Sequence, residues 1–457
     1  MKKKLTQQNI ETILHGSLPR AIAMLAIPVA VNSFLQTMYN LTDTFWLGHI
    51  GRTQLSAINL VTPAQNIVLN LGSGITVAGS VLISQYIGAD KIKEARKLAS
   101  EIYACAMLFS IFFAGFFFLL TPLIVGWLGA DGETASHAIT YLRIVILDMP
   151  LLFTINIFQA TSQSQGDTVK PMLLNFLGII INLFLDPLFM VIIPLGTAGA
   201  ALATLLAKLP PMLIALRLLL DREQTIYADF NDFHFNKTDL KNILQVGLPT
   251  AIGSSTMQLG FLLMSKNVYV YGNSAMSAYG IGNKVNSLIT LPVNGIGSAT
   301  ATIVGQNIGA GQYDRAEKGY KLSRNICVIF LFLGGLILSR PAVSSAITGI
   351  FSPYEDVVAL SSDFLSIMAL YSFTNGVYNT TVGLFQGSGH TKINMLVDVS
   401  RLWIFRFLTL YICESFLHMG VRSVWYCVVV SNAISALILY IVYLTGIWKK
   451  SAISTIS

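Results

Sequence analysis

The chain has 457 residues, 54% hydrophobic and only 11% charged, with a mean hydropathy of +0.65. Soluble domains carry about 25% charged residues, so composition excludes a soluble protein and makes this a polytopic membrane protein. The net charge of +7 requires no nucleic-acid partner, because excess Lys and Arg in a membrane protein collects in cytoplasmic loops.

Residues 1–20 hold three lysines but no apolar run followed by a small-residue cleavage site, so the first span is expected to be its own insertion signal rather than a removable leader. A helix needs about 20 mostly apolar residues to cross a bilayer. That criterion predicts spans over 21–47, 55–82, 98–121, 138–160, 171–192 and 196–220. After a polar stretch, 221–241, six more follow at 245–270, 276–303, 321–341, 362–384, 394–413 and 423–447. Alternate connections then divide the cations sharply. One set holds Lys2 to Lys4, Arg20, Lys91 to Lys97, Lys170, Arg217, Arg222, Lys237, Lys241, Arg315 to Arg324, Lys392, Lys449 and Lys450, whereas the other holds only Arg52, Arg340 and Arg422. The positive-inside rule places both termini in the cytoplasm of a cell (plasma or inner) membrane. Cys105, Cys327, Cys413 and Cys427 stand singly in apolar stretches, without the paired spacing of a metal site or disulfide framework.

Self-comparison reveals a duplication. At a shift of 221 residues, Pro28 meets Pro249, Gly51 meets Gly272, Gly74 meets Gly295, Gln85 meets Gln306, and Lys97 meets Lys318. The same shift sets Gln165-Gly166 on Gln386-Gly387. The expected fold is all-α: twelve transmembrane helices in two six-helix lobes, 1–220 and 242–457, joined by a cytoplasmic linker at 221–241. Because six is even, both copies enter from one side, so a pseudo-two-fold axis along the membrane normal is expected, with a cavity between the lobes and alternating access.

Within the first span, "YNLTDTFWLG" places Asp43 in apolar surroundings. A carboxylate at membrane depth costs a few kcal/mol, so it faces the protein interior and is functional by default. At 1.5 Å per residue, Asp43 lies roughly 33 Å along its helix, Asp186 roughly 22 Å up the fifth, and Thr204 roughly 12 Å below the outer surface on the sixth. Asn182 shares a face with Asp186, and Tyr39 shares one with Asp43. These five oxygen-bearing residues form a candidate proton- or cation-coupling cluster. Two close carboxylates in low dielectric cannot both ionise cheaply, which suits proton exchange. The same hard oxygens, Asp43, Asn182, Asp186 and Thr204, could instead hold Na+. A structural ion-pair network is the remaining alternative, with Lys208, four residues after Thr204, reaching Asp186 as a built-in counter-ion.

The chain resembles the multidrug and toxic compound extrusion (MATE) family. The likeness rests on the six-plus-six duplication, "DTFWLG" in the first span, "QYIGADKIKEARK" and "GQNIGAGQYDRAEK" after the second and eighth, and "QGDTVKP" and "QGSGHTK" after the fourth and tenth. The resemblance implies a secondary exporter of amphipathic or cationic small molecules, driven by H+ or Na+, with no further cofactor. It implies a monomer whose partners are its substrates and the lipid bilayer. Tyr39, Asp43, Tyr141, Asn182, Asp186 and Thr204 match the pattern of the DinF-like branch, in which the first-span proline, here Pro28, permits helix bending on protonation. The NorM-like branch places acids in the seventh, eighth and tenth spans, where this chain has Gln258, Lys284, Tyr371, Asn375 and Asn379. Lys208 and Lys284 depart from both patterns.

Tyr371, Asn375 and Asn379 recur every four residues and give the tenth span a polar face, a candidate border of the substrate cavity. Asp398 and Arg401 are spaced as an i, i+3 structural pair. The Gly-rich stretches 71–80 and 293–301 lack any Gly-Lys dipeptide, so they read as close helix packing rather than phosphate loops. The six histidines fall in loops or at span ends, so nothing supports a metal centre or an enzyme. A flippase of a lipid-linked oligosaccharide is the alternative function. It would favour an arginine-lined cavity for the diphosphate.

Overall fold

A computed structural model describes residues 2–50, 52–231 and 233–450. Gly51, a member of one repeat pair, lies outside the described residues. Among those described there is no strand. The helices are α1 (Lys2–Leu14), α2 (Leu18–Ile50), α3 (Arg52–Gly88), α4 (Ile92–Trp127), α5 (Gly132–Ile146), α6 (Met149–Ser164), α7 (Val169–Pro187) and α8 (Gly196–Leu219). After a connection follow α9 (Lys237–Tyr269), α10 (Asn273–Gly309), α11 (Tyr313–Leu338), α12 (Pro341–Gly349), α13 (Glu355–Leu370), α14 (Phe373–Gly387), α15 (Thr391–Ser400), α16 (Phe407–Ser415) and α17 (Arg422–Leu444).

Eight of these helices are long and apolar enough to span a membrane, and the bent pairs α5–α6 and α13–α14 supply two more. The fourth and tenth spans are therefore each broken, by 41° and 56°. Pro150, in the first turn of α6, suits such a restart, because its missing N–H is one that a helix start leaves unpaired anyway. The other two expected spans, α9 and 391–415, are helical over the required length but less apolar: α9 opens on Lys237, Asp239 and Lys241, and the second run carries Asp398, Arg401 and Arg406. The short helices α1 and α12 lie outside the expected spans.

The chain forms two compact units that do not follow its two halves. Unit 1 takes residues up to His15 and Val31–Ala251; unit 2 takes Gly16–Ala30 and everything from Ile252 onward. Both α2 and α9 thus change unit two residues after a proline, Pro28 in one and Pro249 in the other. The Gly-rich stretches receive these exchanged segments. In unit 2 a Cβ on Gly295 would lie 2.7 Å from the Ala26 carbonyl oxygen, and in unit 1 one on Gly74 would lie 2.2 Å from the Gly247 oxygen. Only glycine permits so close a backbone approach. The connection after α8 belongs to unit 1, where Arg96 Nε donates to the Thr225 oxygen at 2.9 Å and the Ile226 N–H donates to Gln165 Oε1 at 3.0 Å.

Backbone geometry refines the repeat. Lys91 and Gln312, 221 positions apart, both open their helices at φ −91°, ψ 61°. From the fourth span onward the register is 223: Gly166 (φ +80°) corresponds to Gly389 (φ +82°). Each sits in the same turn, in which Asp167 N donates to Ser162 O and His390 N to Phe385 O. Gln165-Gly166 therefore corresponds to Ser388-Gly389, not Gln386-Gly387, because two extra residues enter between Gln312 and Glu355. A further residue enters at the π-helical turn Arg401–Arg406, a geometry that accommodates one-residue insertions. The buried residues Ala203, Ala207, Pro211 and Ala215 of α8 then fall 224 positions before Cys427, Ser431, Ser435 and Leu439 of α17.

Candidate functional site

Unit 1 encloses a cavity of about 520 Å³ walled by α2, α3, α5, α6, α7 and α8, within the range typical of small-molecule sites. Tyr39 and Asp43 reach it from α2, Tyr141 from α5, Asn182 from α7, and Thr204 and Lys208 from α8. Their helical spacing explains the convergence: Tyr39 and Asp43, and likewise Thr204 and Lys208, stand one turn apart on a shared face. The Tyr39 and Thr204 hydroxyls lie 3.5 Å apart, which ties α2 to α8. Asp186 does not line the cavity. It is fully buried, and its Oδ1 accepts a 3.1 Å hydrogen bond from Asn182 Nδ2. Its Oδ2 has no hydrogen-bond partner among the described residues. The π-helical turn Leu188–Ile192 follows directly, after Pro187, which cannot donate to the helical ladder.

The expected partner of Lys208 needs correction. Its ammonium pairs with Asp148, whose side chain is 2% exposed, rather than with Asp186. Asp148 lies in the break between α5 and α6, a position that hydropathy does not mark. It was nonetheless detectable as a further carboxylate within the expected spans of this half, in "ILDMP". Six carboxamides also line the cavity, from Gln36, Asn40, Gln65, Asn66, Asn175 and Asn182. Of these, Asn175 Nδ2 donates to Asn32 Oδ1 at 3.0 Å. The lining thus combines an acid, a base and many neutral hydrogen-bonding groups on an apolar frame.

The remaining sequence candidates belong to unit 2. Pro28 belongs to the unit 2 portion of α2. Tyr371, 40% exposed, occupies the break between α13 and α14, so it is not in helical register with Asn375 and Asn379, and Asn379 Nδ2 donates to the Asn375 oxygen of its own helix at 3.0 Å. Lys284 is exposed on α10. Asp398 accepts from Arg401 at 3.2 Å and from the Tyr378 hydroxyl, as the structural pairing anticipated. No group of three or more His, Cys, Asp or Glu residues able to hold a metal occurs among the described residues.

Helices of membrane-spanning length and a cavity among them lined by Asp43 and Lys208 define a multi-pass membrane protein with a site of small-molecule size. A family model described as MatE matches residues 28–188 and 249–412, each stretch opening on one of the paired prolines, and the chain belongs to that family. The probable multidrug resistance protein NorM of Thermotoga maritima is 24% identical over 449 residues, covering 95% of this chain and 94% of that protein. The multidrug export protein MepA of Staphylococcus saprophyticus is 22% identical over 368 residues, covering 80% and 81%. Among solved structures, a MATE protein in complex with MaL6 superposes with a TM-score of 0.90 at 23% identity, covering 95% of this chain and 98% of that one. A MOP superfamily transporter from Pyrococcus furiosus gives 0.89 at 24% identity, covering 96% and 98%.

Proposed function

We propose that this chain is a secondary active exporter of amphipathic or cationic small molecules, drugs among them, working by alternating access and exchanging cargo for H+ or Na+ at Asp43 and Asp186. The observation that carries this reading is the juxtaposition in unit 1: Asp43 faces the cavity, and Asp186 stands behind Asn182 with one carboxyl oxygen unpartnered among the described residues. A buried acid without a full set of partners is costly to keep, and such costs are characteristic of sites that take up and release an ion. The relatives named for multidrug resistance and export support the cargo class. Both termini are assigned to the cytoplasm of a plasma or inner membrane, and the working unit to a monomer. The flippase reading loses ground because the buried arginines are engaged: Arg401 bonds Asp398, and Arg406 bonds Ser431 and Asn432.

Asp43→Asn tests the reading. In proteoliposomes with an imposed pH or Na+ gradient, ethidium export by this variant should fall by about tenfold or more relative to wild type. Export at the wild-type rate from correctly folded protein would remove Asp43 from the mechanism.

A further inference from the structure

We propose that the Lys208 ammonium is the resident cation of the unit 1 cavity and that it restricts coupling at Asp43 and Asp186 to protons, excluding Na+. The inference rests on the reading of that cavity as the exchange site. Lys208 is the one cation among the described residues that line the cavity. Its side chain is 25% exposed, while its partner Asp148 is 2% exposed, so the ammonium is anchored at the wall and still borders the open space. The charged and titratable groups around that space are Asp43 and Tyr39 on α2, Tyr141 on α5, Asp148 at the α5–α6 break, and Asp186 behind Asn182 on α7.

Of the oxygens that Na+ would need, those of Asp43, Asn182 and Thr204 line the same cavity as this tethered ammonium, and Thr204 lies one turn from Lys208 on the same helix face. A free cation entering must either displace the ammonium or sit beside it. Displacement is disfavoured because a tethered group competes at an effective concentration of millimolar or more. Coexistence brings a second cation into the cavity of the ammonium; with Asp148 partly offsetting the charge of Lys208, their repulsion at an effective dielectric constant of about 20 weakens binding by about tenfold. Sodium also requires a shell of several oxygens, whereas a proton forms an O–H bond on one carboxyl group and needs no vacancy. Proton and ammonium can therefore share the cavity where sodium and ammonium cannot.

The experiment measures 22Na+ binding to purified protein and cationic-dye export from proteoliposomes, for wild type, Lys208→Met and the charge-balanced double variant Lys208→Met/Asp148→Asn. The double variant avoids leaving Asp148 as an uncompensated buried charge. Wild type should export on a pH gradient alone and not on a Na+ gradient alone. Lys208→Met should bind 22Na+ at least about tenfold more tightly, as expected from removing a neighbouring like charge, and the double variant should also bind it more tightly but by a smaller factor, because the Asp148 carboxylate is lost with the ammonium. Export by wild type on a Na+ gradient, or Na+ binding no tighter in a folded variant, would overturn the role of Lys208. If neither variant folds, wild-type 22Na+ binding decides: millimolar affinity overturns the proposal, and absence of binding supports it. The two readings fail separately, since an active Asp43→Asn removes the exchange site itself, whereas an inactive Asp43→Asn with a Na+-driven wild type removes only the assignment to Lys208.

Discussion

The same structural positions in the two units carry opposite chemistry. Where unit 1 has Tyr39, Asp43, Tyr141, Asp186 and Thr204, the refined register places Gly260, Met264, Phe364, Leu410 and Val428 in unit 2. Met264, Phe364, Leu410 and Val428 belong to one buried apolar cluster centred on Trp425, whose indole stacks on Tyr279 with ring planes 4° apart. Gly260 completes the exchange: a Cβ there would lie 1.7 Å from the Leu402 side chain, so loss of the tyrosine makes room for a packed leucine. Nearby, an amide and a cation trade helices. Asn182 and Lys208 correspond to Arg406 and Asn432, and these two are hydrogen-bonded at 3.2 Å. The duplicated scaffold does not itself require polar groups at this level; unit 2 meets the packing demand with hydrocarbon. The proposed exchange role of the unit 1 acids accounts for this contrast, because buried polar groups are expensive to keep where apolar ones fit.

Transplanting one residue across the repeat should break this contrast most severely. Met264→Asp would place a carboxylate in the buried apolar cluster that contains Trp425, where the buried cation Arg406 is already bonded to Ser431 and Asn432, and an uncompensated buried charge costs about 3–5 kcal/mol. Thermal unfolding in detergent, followed by tryptophan fluorescence, should show a large drop in midpoint or no folded protein. The reverse exchange, Asp186→Leu, should act on function instead. Gradient-driven export should fall by about 100-fold, while stability holds or rises by about 1 kcal/mol, since a partly unsatisfied buried carboxyl is replaced by the residue that unit 2 uses. Asn182, which would lose its acceptor, lines the cavity and can turn to water. A variant that loses stability along with export would instead mark Asp186 as a structural residue.

What the sequence made legible follows from the range of the signals involved. Asp43, Asn182 and Asp186 stood out because the cost of an acid in an apolar run is local, and helix rise brought Tyr39 and Thr204 to a comparable depth. Lys208 was visible too, but its partner was not: choosing Asp148 over Asp186 depends on where the fourth span breaks, and that break leaves little trace in hydropathy. The repeat could be read at a fixed shift only until residues were inserted, first before Glu355 and then at the π-helical turn. Beyond those points a constant offset pairs the wrong residues, as it did for Gln386-Gly387. The exchange of α2 and α9 between units was legible only as paired prolines and glycines, whose packing partners are non-local. Tyr371 looked like part of a continuous polar face because periodicity assumes an unbroken helix.

The smallest test concerns the turn after the fourth span and its counterpart after the tenth. The backbone is the same in both, but unit 1 places Asp167 after its left-handed glycine and unit 2 places His390. Asp167 is satisfied by Lys170, with a 2.7 Å ion pair and a 3.2 Å hydrogen bond from the backbone N–H. His390 has the Ser388 hydroxyl 3.1 Å from Nδ1, and burial holds its imidazole below the ordinary histidine range by penalising the charged form. The folded protein thus binds this proton less readily than the unfolded chain does. The stabilisation is complete above the unfolded value near 6.5 and is lost as pH falls below it. Between pH 7.5 and 5.5 the loss should be no more than about 1 kcal/mol, because the site is partly solvated. Comparing unfolding midpoints of wild type and His390→Asn at the two pH values checks this. The variant should show a shallower pH dependence; an unchanged slope would assign the acid sensitivity to another group and leave the two turns equivalent in energy as well as in shape.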